Sequence, residues 1–125
     1  YEDQINTCFS ADSVEEILDR LEEDSSDWAK AQLAGLATKS PLTLKIAFRQ
    51  LREGGNFDRF EDNMRNEYRI GWRQACSSDF LEGVRAVIVD KDNKPDWPSE
   101  SLAKVSGGEI DEIFAPLGAD ELSFL

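Results

Sequence analysis

Helix-start signals followed by apolar residues at helical spacing are the feature that most constrains how this chain folds. Ser13 and Glu16 form a capping box, and behind it an apolar stripe recurs every three or four residues, at Val14, Ile17, Leu18 and Leu21. Ser40 followed by Pro41 marks a second start, because proline at the first helical position loses no hydrogen bond. No stretch alternates apolar and polar residues as a half-buried strand would. The sequence therefore predicts an all-α fold.

The predicted helices form one domain over residues 1–125. They cover residues 14–23, 27–38, 41–53, 57–76 and 79–90, with short helices over 99–105 and 109–114. The β-branched run from Val87 to Val89 alone would suit a strand, but the spacing from Phe80 to Ile88 favours a helix. Apolar stripes on three consecutive helices predict a buried set of side chains, namely Phe48, Phe57, Phe60, Met64, Tyr68, Trp72, Phe80, Val84, Val87 and Ile88.

Charge and composition argue against several classes of function. The net charge of −12 opposes binding to nucleic acid or to an anionic membrane surface, since both require a cationic face. The absence of histidine argues against His-dependent nucleophiles and nearly all catalytic zinc sites. Cys8 and Cys76 are too far apart in the sequence for a close-spaced metal or redox motif, so we expect free thiols. We expect no catalytic residue, no metal site and no cofactor of the chain's own.

Three arginines form a basic ridge on the predicted helix over 57–76. Arg65, Arg69 and Arg73 are spaced four residues apart, and Glu61 precedes the first of them by four residues. Such a ridge could bind phosphate or a partner, but the preceding glutamate favours a salt-bridged surface. The glycine pairs of the chain lack the spacing of a phosphate-binding loop.

Several segments, in chain order, resemble the C-terminal third of one enzyme family. They are residues 40–46, 49–54, 67–69 and 79–92, followed by Pro95-Asp96-Trp97. Together they resemble the 3-hydroxyisobutyryl-CoA hydrolases, the valine-catabolism branch of the enoyl-CoA hydratase/isomerase (crotonase) superfamily. The most specific part is Phe-x-Glu-Gly-Val-Arg-Ala-x-x-x-Asp-Lys-Asp, from Phe80 to Asp92. The resemblance implies the C-terminal helical layer of a crotonase-type fold whose spiral ββα core is absent from the chain.

The resemblance also implies where this segment would meet its ligand. In crotonases the absent core supplies the oxyanion hole, the acidic catalytic residues and most of the CoA pocket, so we expect the isolated chain to be inactive. Lys91 lies one residue from a basic position that contacts a CoA phosphate in related enzymes, although Asp90 occupies the aligned position itself. Arg85 is a second, weaker candidate for CoA binding. For both residues the alternative is a surface ion pair.

The implied function is that of a segment covering the acyl-CoA pocket of a CoA-thioester hydrolase. Its partners would be the acyl-CoA substrate, the missing N-terminal core and, in a homo-oligomer, further copies of the protein, with no nucleic acid and no membrane. One alternative is a non-catalytic homologue serving as a structural subunit, for example of a mitochondrial ribosome. The other is an enoyl-CoA hydratase or isomerase. We expect an intracellular protein, in the mitochondrial matrix if eukaryotic and in the cytoplasm if bacterial.

Overall fold

The computed structural model describes residues 1–124, and in these residues it contains helices and no strand. The prediction of an all-α fold is therefore confirmed for this part of the chain. The α-helices are α1 (Glu2–Phe9), α2 (Val14–Asp24), α3 (Asp27–Ala37), α4 (Pro41–Gly54), α5 (Phe60–Gln74), α6 (Ser78–Val84) and α7 (Gly107–Phe114). A π-helical segment, Arg85–Val89, continues α6, and short 3₁₀ turns span Leu102–Lys104 and Gly118–Asp120. None of the helices described is long and apolar enough to cross a membrane.

Serine side chains begin several of these helices by accepting orphaned backbone N–H groups. The Ser13 hydroxyl accepts from the N–H of Glu16 at 3.1 Å, and Glu16 Oε2 in turn accepts from the N–H of Asp12 at 3.0 Å. The capping box thus closes one residue earlier than the standard motif. Ser40 caps α4 by accepting from the N–H of Thr43 at 3.0 Å. Local chemistry alone therefore accounts for the starts of α2 and α4.

Two predicted helices have wrong boundaries and one helix was missed, each for an identifiable reason. The helix predicted from residue 57 begins at Phe60, because the Phe57 N–H bonds to the Gly54 carbonyl at 3.4 Å and closes the turn after α4. The helix predicted over 99–105 shrinks to one 3₁₀ turn, since Ser101 is extended with φ −155° and ψ 159°. Helix α1 was not predicted at all, because its N-cap, Tyr1, forms no side-chain capping bond.

The helix predicted over residues 79–90 changes its hydrogen-bonding pattern after Val84. The N–H of Asp90 bonds to the carbonyl of Arg85 at 2.8 Å, the five-residue spacing of a π-helix. This wider turn coincides with the β-branched residues 87–89, whose side chains crowd the preceding turn of a regular α-helix. Such π segments occur frequently at functional sites.

Two apolar clusters make up the buried core. The first joins α1, α2 and α3 and contains Cys8, Ala11, Ile17, Leu21 and Ala29. The second joins α4, α5 and α7 and contains Leu42, Ile46, Ile70, Val105, Ile110, Ile113 and Phe114. Neither cluster includes a residue of the π segment, in which Ala86 is buried while Val87, Ile88 and Val89 remain exposed.

The predicted burial of the α5 and α6 stripes is wrong in its extent. Trp72 and Phe80 are 52% and 50% exposed, and the side chains of Phe60, Val87 and Ile88 also face solvent. The other predicted members are only half-buried, namely Phe48, Phe57, Met64, Tyr68 and Val84. An amphipathic stripe shows which face of a helix is apolar, but whether another element covers that face depends on the rest of the protein.

The arginine ridge of α5 holds the C-terminal segment of the chain. Arg69 pairs with Glu121 at 2.8 Å, and Arg65 pairs with Asp62 at 2.9 Å. Arg73 donates to carbonyl oxygens at and just beyond the end of α7, where helical carbonyls lack partners. The prediction of a salt-bridged surface is confirmed, although the partner of Arg65 is not the predicted Glu61.

Candidate functional site

The two sequence-predicted contact residues lie where the π segment gives way to a loop that turns back along α6. We call residues 90–99 the return loop. The chain reverses at Lys91 and Asn93, whose φ angles are +56° and +54°. Left-handed backbone is uncommon outside glycine, and less so for asparagine than for lysine. Bonds from α6 and the π segment must therefore hold this turn.

The far end of the return loop bonds to two acidic residues of α6. Glu82 Oε1 accepts from the N–H of Asp96 at 2.7 Å. Asp79 Oδ2 accepts from the hydroxyl of Ser99 at 2.8 Å and from the hydroxyl of Ser40. Asp79 is only 4% exposed, so two hydroxyl donors compensate a buried carboxylate. The bond between Ser40 and Asp79 was not predicted from the sequence, because each of these residues looks like an ordinary helix-start residue.

The near end of the return loop is hydrogen-bonded to the guanidinium group of Arg85. Nη1 donates to Asp90 at 2.6 Å and to Asp92 at 2.9 Å. Nη2 donates to Glu82 at 2.8 Å and to the Lys94 carbonyl at 3.1 Å, while Nε donates to the second Glu82 oxygen at 2.9 Å. An arginine has five N–H donors, and these five bonds use all of them.

Trp97 attaches the return loop to the end of α3 and to α6. Its indole N–H donates to the carbonyl of Thr38 at 3.1 Å, which ties the loop to the end of α3. Its ring packs beside Gly83, where an added Cβ would lie in van der Waals contact with the ring, 3.4 Å from the nearest ring carbon.

These contacts lower the pKa of two acidic groups of the site, Glu82 and Asp92. The ion pair with Arg85, followed by the bond from the N–H of Asp96, lowers the pKa of Glu82 to about 2. Arg85 likewise lowers the pKa of Asp92. The pKa of Arg85 itself is raised, first by Glu82 and then by Asp92 and Asp90. At neutral pH Glu82 and Asp92 are therefore both ionised beside the Arg85 cation.

Lys91 differs from Arg85 in having no such partners. It is exposed, and within residues 1–124 no carboxylate lies at ion-pairing distance from its ammonium group. The residues on either side of it, Asp90 and Asp92, turn toward Arg85 instead. The structure thus brings the Arg85 guanidinium and Lys91 to one reversal of the chain, where every Arg85 donor is bonded and Lys91 has no carboxylate at ion-pairing distance in the described residues 1–124.

An apolar groove lies on the outer face of the same helix. Its volume is about 260 Å³, and its lining includes Phe80, Val84, Val87, Ile88 and Trp97. Leu81 and Val89 beside it are also exposed, at 57% and 67%. Contiguous exposed apolar residues of this kind mark a surface that another part of a protein, or a ligand, covers.

Comparison with known proteins identifies what this arrangement is similar to. A family model described as enoyl-CoA hydratase/isomerase matches residues 1–114. Mitochondrial 3-hydroxyisobutyryl-CoA hydrolase of Xenopus laevis is 47% identical over 122 residues, which is 96% of this chain and 31% of that protein. The Homo sapiens protein of the same name is 43% identical over 124 residues, with 98% and 31% covered. The chain thus spans about a third of these relatives, at their C-terminal part.

Solved structures share the helical arrangement. A carnitinyl-CoA dehydratase from Mycobacterium thermoresistibile superposes with a TM-score of 0.90 at 30% identity, covering 98% of this chain and 34% of that one. An enoyl-CoA hydratase from Rhodobacter sphaeroides superposes with a TM-score of 0.89 at 34% identity, covering 98% and 36%.

Proposed function

The chain belongs to the enoyl-CoA hydratase/isomerase family, and from this premise we propose that it is the C-terminal segment of a CoA-thioester hydrolase resembling 3-hydroxyisobutyryl-CoA hydrolase. The observation that carries the proposal is 42–47% identity to hydrolases of that name over nearly the whole chain. The alternative of an enoyl-CoA hydratase has the support of a structural neighbour, but at the lower identity of 34%. The hydrolase is therefore the leading assignment.

In the proposal, the apolar face of α6 and the π segment packs against the remainder of the full-length protein. The face exposes Phe80, Leu81, Val87, Ile88 and Val89. Leaving so many apolar side chains in water is unfavourable by roughly 25 cal/mol per Å². The matched relatives are about three times longer than this chain, so they contain an additional part that can cover such a face. The segment would then help to enclose the acyl-CoA pocket.

Lys91 is the residue that we propose meets the CoA phosphates. It is an exposed cation without a carboxylate partner among residues 1–124, in a chain whose net charge of −12 would otherwise repel CoA. A lysine at the rim of a wet pocket acts as a mobile point charge. Arg85 is retained as a weaker candidate, which the saturation of its five donors opposes.

The cellular location that we propose is also based on the matched relatives. The relatives are named as mitochondrial proteins, so a eukaryotic source would place this one in the mitochondrion. A cytoplasmic bacterial enzyme is the alternative. The acyl-CoA substrate and association into a homo-oligomer are likewise proposals for the full-length protein.

Activity should belong to the full-length protein alone. We expect the isolated 125-residue chain to release no free CoA from 3-hydroxyisobutyryl-CoA above background, because it has no histidine and because the carboxylates that converge, those of Glu82, Asp90 and Asp92, are all bonded to Arg85. The product should be quantified by chromatography, since the exposed thiol of Cys76 would react in a thiol assay. Turnover by the isolated chain would contradict this expectation. A full-length protein without hydrolase or hydratase activity would instead favour the structural-subunit alternative.

Replacing Lys91 tests the proposed phosphate contact. In the full-length protein, Lys91→Ala should raise KM for the acyl-CoA a few-fold and leave kcat nearly unchanged, the pattern of lost uniform binding. An exposed contact of this kind contributes about 1 kcal/mol and should weaken as salt is added. Lys30→Ala on α3 is the matched control, since it removes one exposed positive charge elsewhere. An unchanged KM at low ionic strength would refute the contact.

A further inference from the structure

We infer that Arg85 is a positioning residue that holds Lys91 in place through the carboxylates on either side of it. The inference rests on the proposed role of Lys91 for its functional consequence, but its geometry stands independently. Nη1 of Arg85 bonds to both Asp90, at 2.6 Å, and Asp92, at 2.9 Å. Lys91 lies between these two aspartates at the reversal of the chain, with φ of +56°.

The backbone at this reversal needs external support. A lysine gains nothing from left-handed backbone, unlike asparagine, whose side chain can bond locally. The two aspartates anchored on Arg85 supply the support, together with two backbone bonds. The N–H of Asp90 bonds to the Arg85 carbonyl at 2.8 Å, and the N–H of Asn93 bonds to the Ala86 carbonyl at 3.0 Å.

The anchor itself is oriented from α6. Glu82 accepts from both Nε and Nη2 of Arg85, at 2.9 and 2.8 Å, which fixes the plane of the guanidinium group. The same carboxylate accepts from the N–H of Asp96 in the return loop. The helix partners 79, 82 and 85 thus meet loop partners in reverse order, and the loop lies antiparallel to α6.

The bonds that Arg85 already makes argue against its binding a CoA phosphate directly. All five of its N–H groups have partners within the chain, so a phosphate could bind only by displacing a carboxylate. A lysine in its place would carry the same charge but offer three donors from a single nitrogen. It could not span Glu82 and both aspartates. Charge and geometry can therefore be separated by the substitution Arg85→Lys.

A double-mutant cycle in the full-length protein tests the inference. Arg85→Lys should raise KM for the acyl-CoA a few-fold, as Lys91→Ala does, and leave kcat nearly unchanged. Combining the two should raise KM no further than Lys91→Ala alone, since Arg85 acts through Lys91. Independent contacts of both residues with CoA would instead multiply the two effects, and that result would overturn the inference. Arg59→Lys, an exposed arginine before α5, is the control.

Amide hydrogen exchange provides the readout that is independent of CoA. In Arg85→Lys the amides of the return loop, those of Asn93, Lys94 and Asp96 in particular, should exchange several-fold faster, whereas Lys91→Ala should leave them unchanged. Unaltered exchange in Arg85→Lys would overturn the inference by itself. Faster exchange with no effect of Lys91→Ala on KM would remove the proposed phosphate contact and leave the positioning of the loop intact. If Arg85→Lys does not fold, Asp92→Asn should give the same pattern.

Discussion

Helices α1–α3 and the α6 region bury their apolar residues to very different extents. In α1–α3, Cys8, Leu21 and Ala29 are almost completely covered by one another and by Trp28, Leu33, Leu36 and Phe48. In α6 and the π segment, Phe80, Leu81 and Val87 remain about half exposed or more. The return loop is instead attached to this helix mainly through hydrogen bonds and ion pairs.

The difference shows what an amphipathic pattern does and does not determine. Both regions contain a serine-capped helix, α2 in the first and α6 in the second, and both carry apolar residues at helical spacing. The first region finds its partner helices within the chain. The second presents its apolar face outward and uses its polar face, with Asp79, Glu82 and Arg85, to hold the loop. Burial therefore reflects the presence of a partner, which helical spacing cannot reveal.

The largest expected effect is a difference in stability between substitutions at a buried leucine and at an exposed one. In the isolated chain, Leu21→Ala should lower the free energy of unfolding by about 2–5 kcal/mol, because the fully buried side chain leaves a cavity. Leu81→Ala, the matched control at 57% exposure, should change it by no more than about 0.5 kcal/mol. Chemical denaturation followed by circular dichroism measures both.

In the full-length protein, the same two substitutions test whether the exposed face of α6 is covered by the rest of the protein. If the apolar face is covered there, Leu81→Ala should become clearly destabilising, whereas Leu21→Ala should keep its large effect. Equal costs for the two substitutions in the isolated chain would mean that the two regions do not differ in cover.

A smaller effect should appear in the polar attachment of the return loop at acid pH. The pKa of Glu82 lies at about 2 in the folded chain, below its ordinary value of 4.5, so ionised Glu82 favours the folded state. This contribution is complete above about pH 4.5 and is lost as the pH falls through about 2. The amide proton of Asp96, which donates to Glu82, should shift in NMR spectra over that range.

Glu82→Gln should remove this titration from the Asp96 signal, because an amide cannot ionise. Glu23→Gln on α2 is the control and should leave it in place, since Glu23 is exposed and remote in sequence. A transition of the Asp96 amide near pH 2 that persists in Glu82→Gln would show that a group other than Glu82 produces it.

Much of the fold could be predicted because its determinants are local. Ser13 and Ser40 begin α2 and α4 as expected, and the arginines of α5 form the expected salt-bridged surface. The missing start signal of α1 and the turn at Phe57 were not predictable in the same way. The first is a helix without a side-chain cap, and the second depends on how the chain leaves α4.

The candidate site could be predicted only in part. Arg85 and Lys91 were identified by resemblance, and the structure brings them to one turn. The roles of Asp79 and Glu82 were missed, because their partners Ser99 and Asp96 lie 20 and 14 residues further along the chain. The spacing of three residues between 79, 82 and 85 is visible in the sequence. What those side chains bond to is not.

By itself, the sequence determined the helical class, the caps at Ser13 and Ser40 and the apolar faces of the helices that it predicted, because these depend on residues within one or two turns of one another. Tertiary structure alone decided which apolar faces are covered and which acceptors the five N–H donors of Arg85 bond to. Cover requires a second element at contact distance, and the bonds of Arg85 require the chain to reverse at Lys91 and return along α6. Both conditions join residues that are distant in the sequence, and local propensity contains no information about such distances.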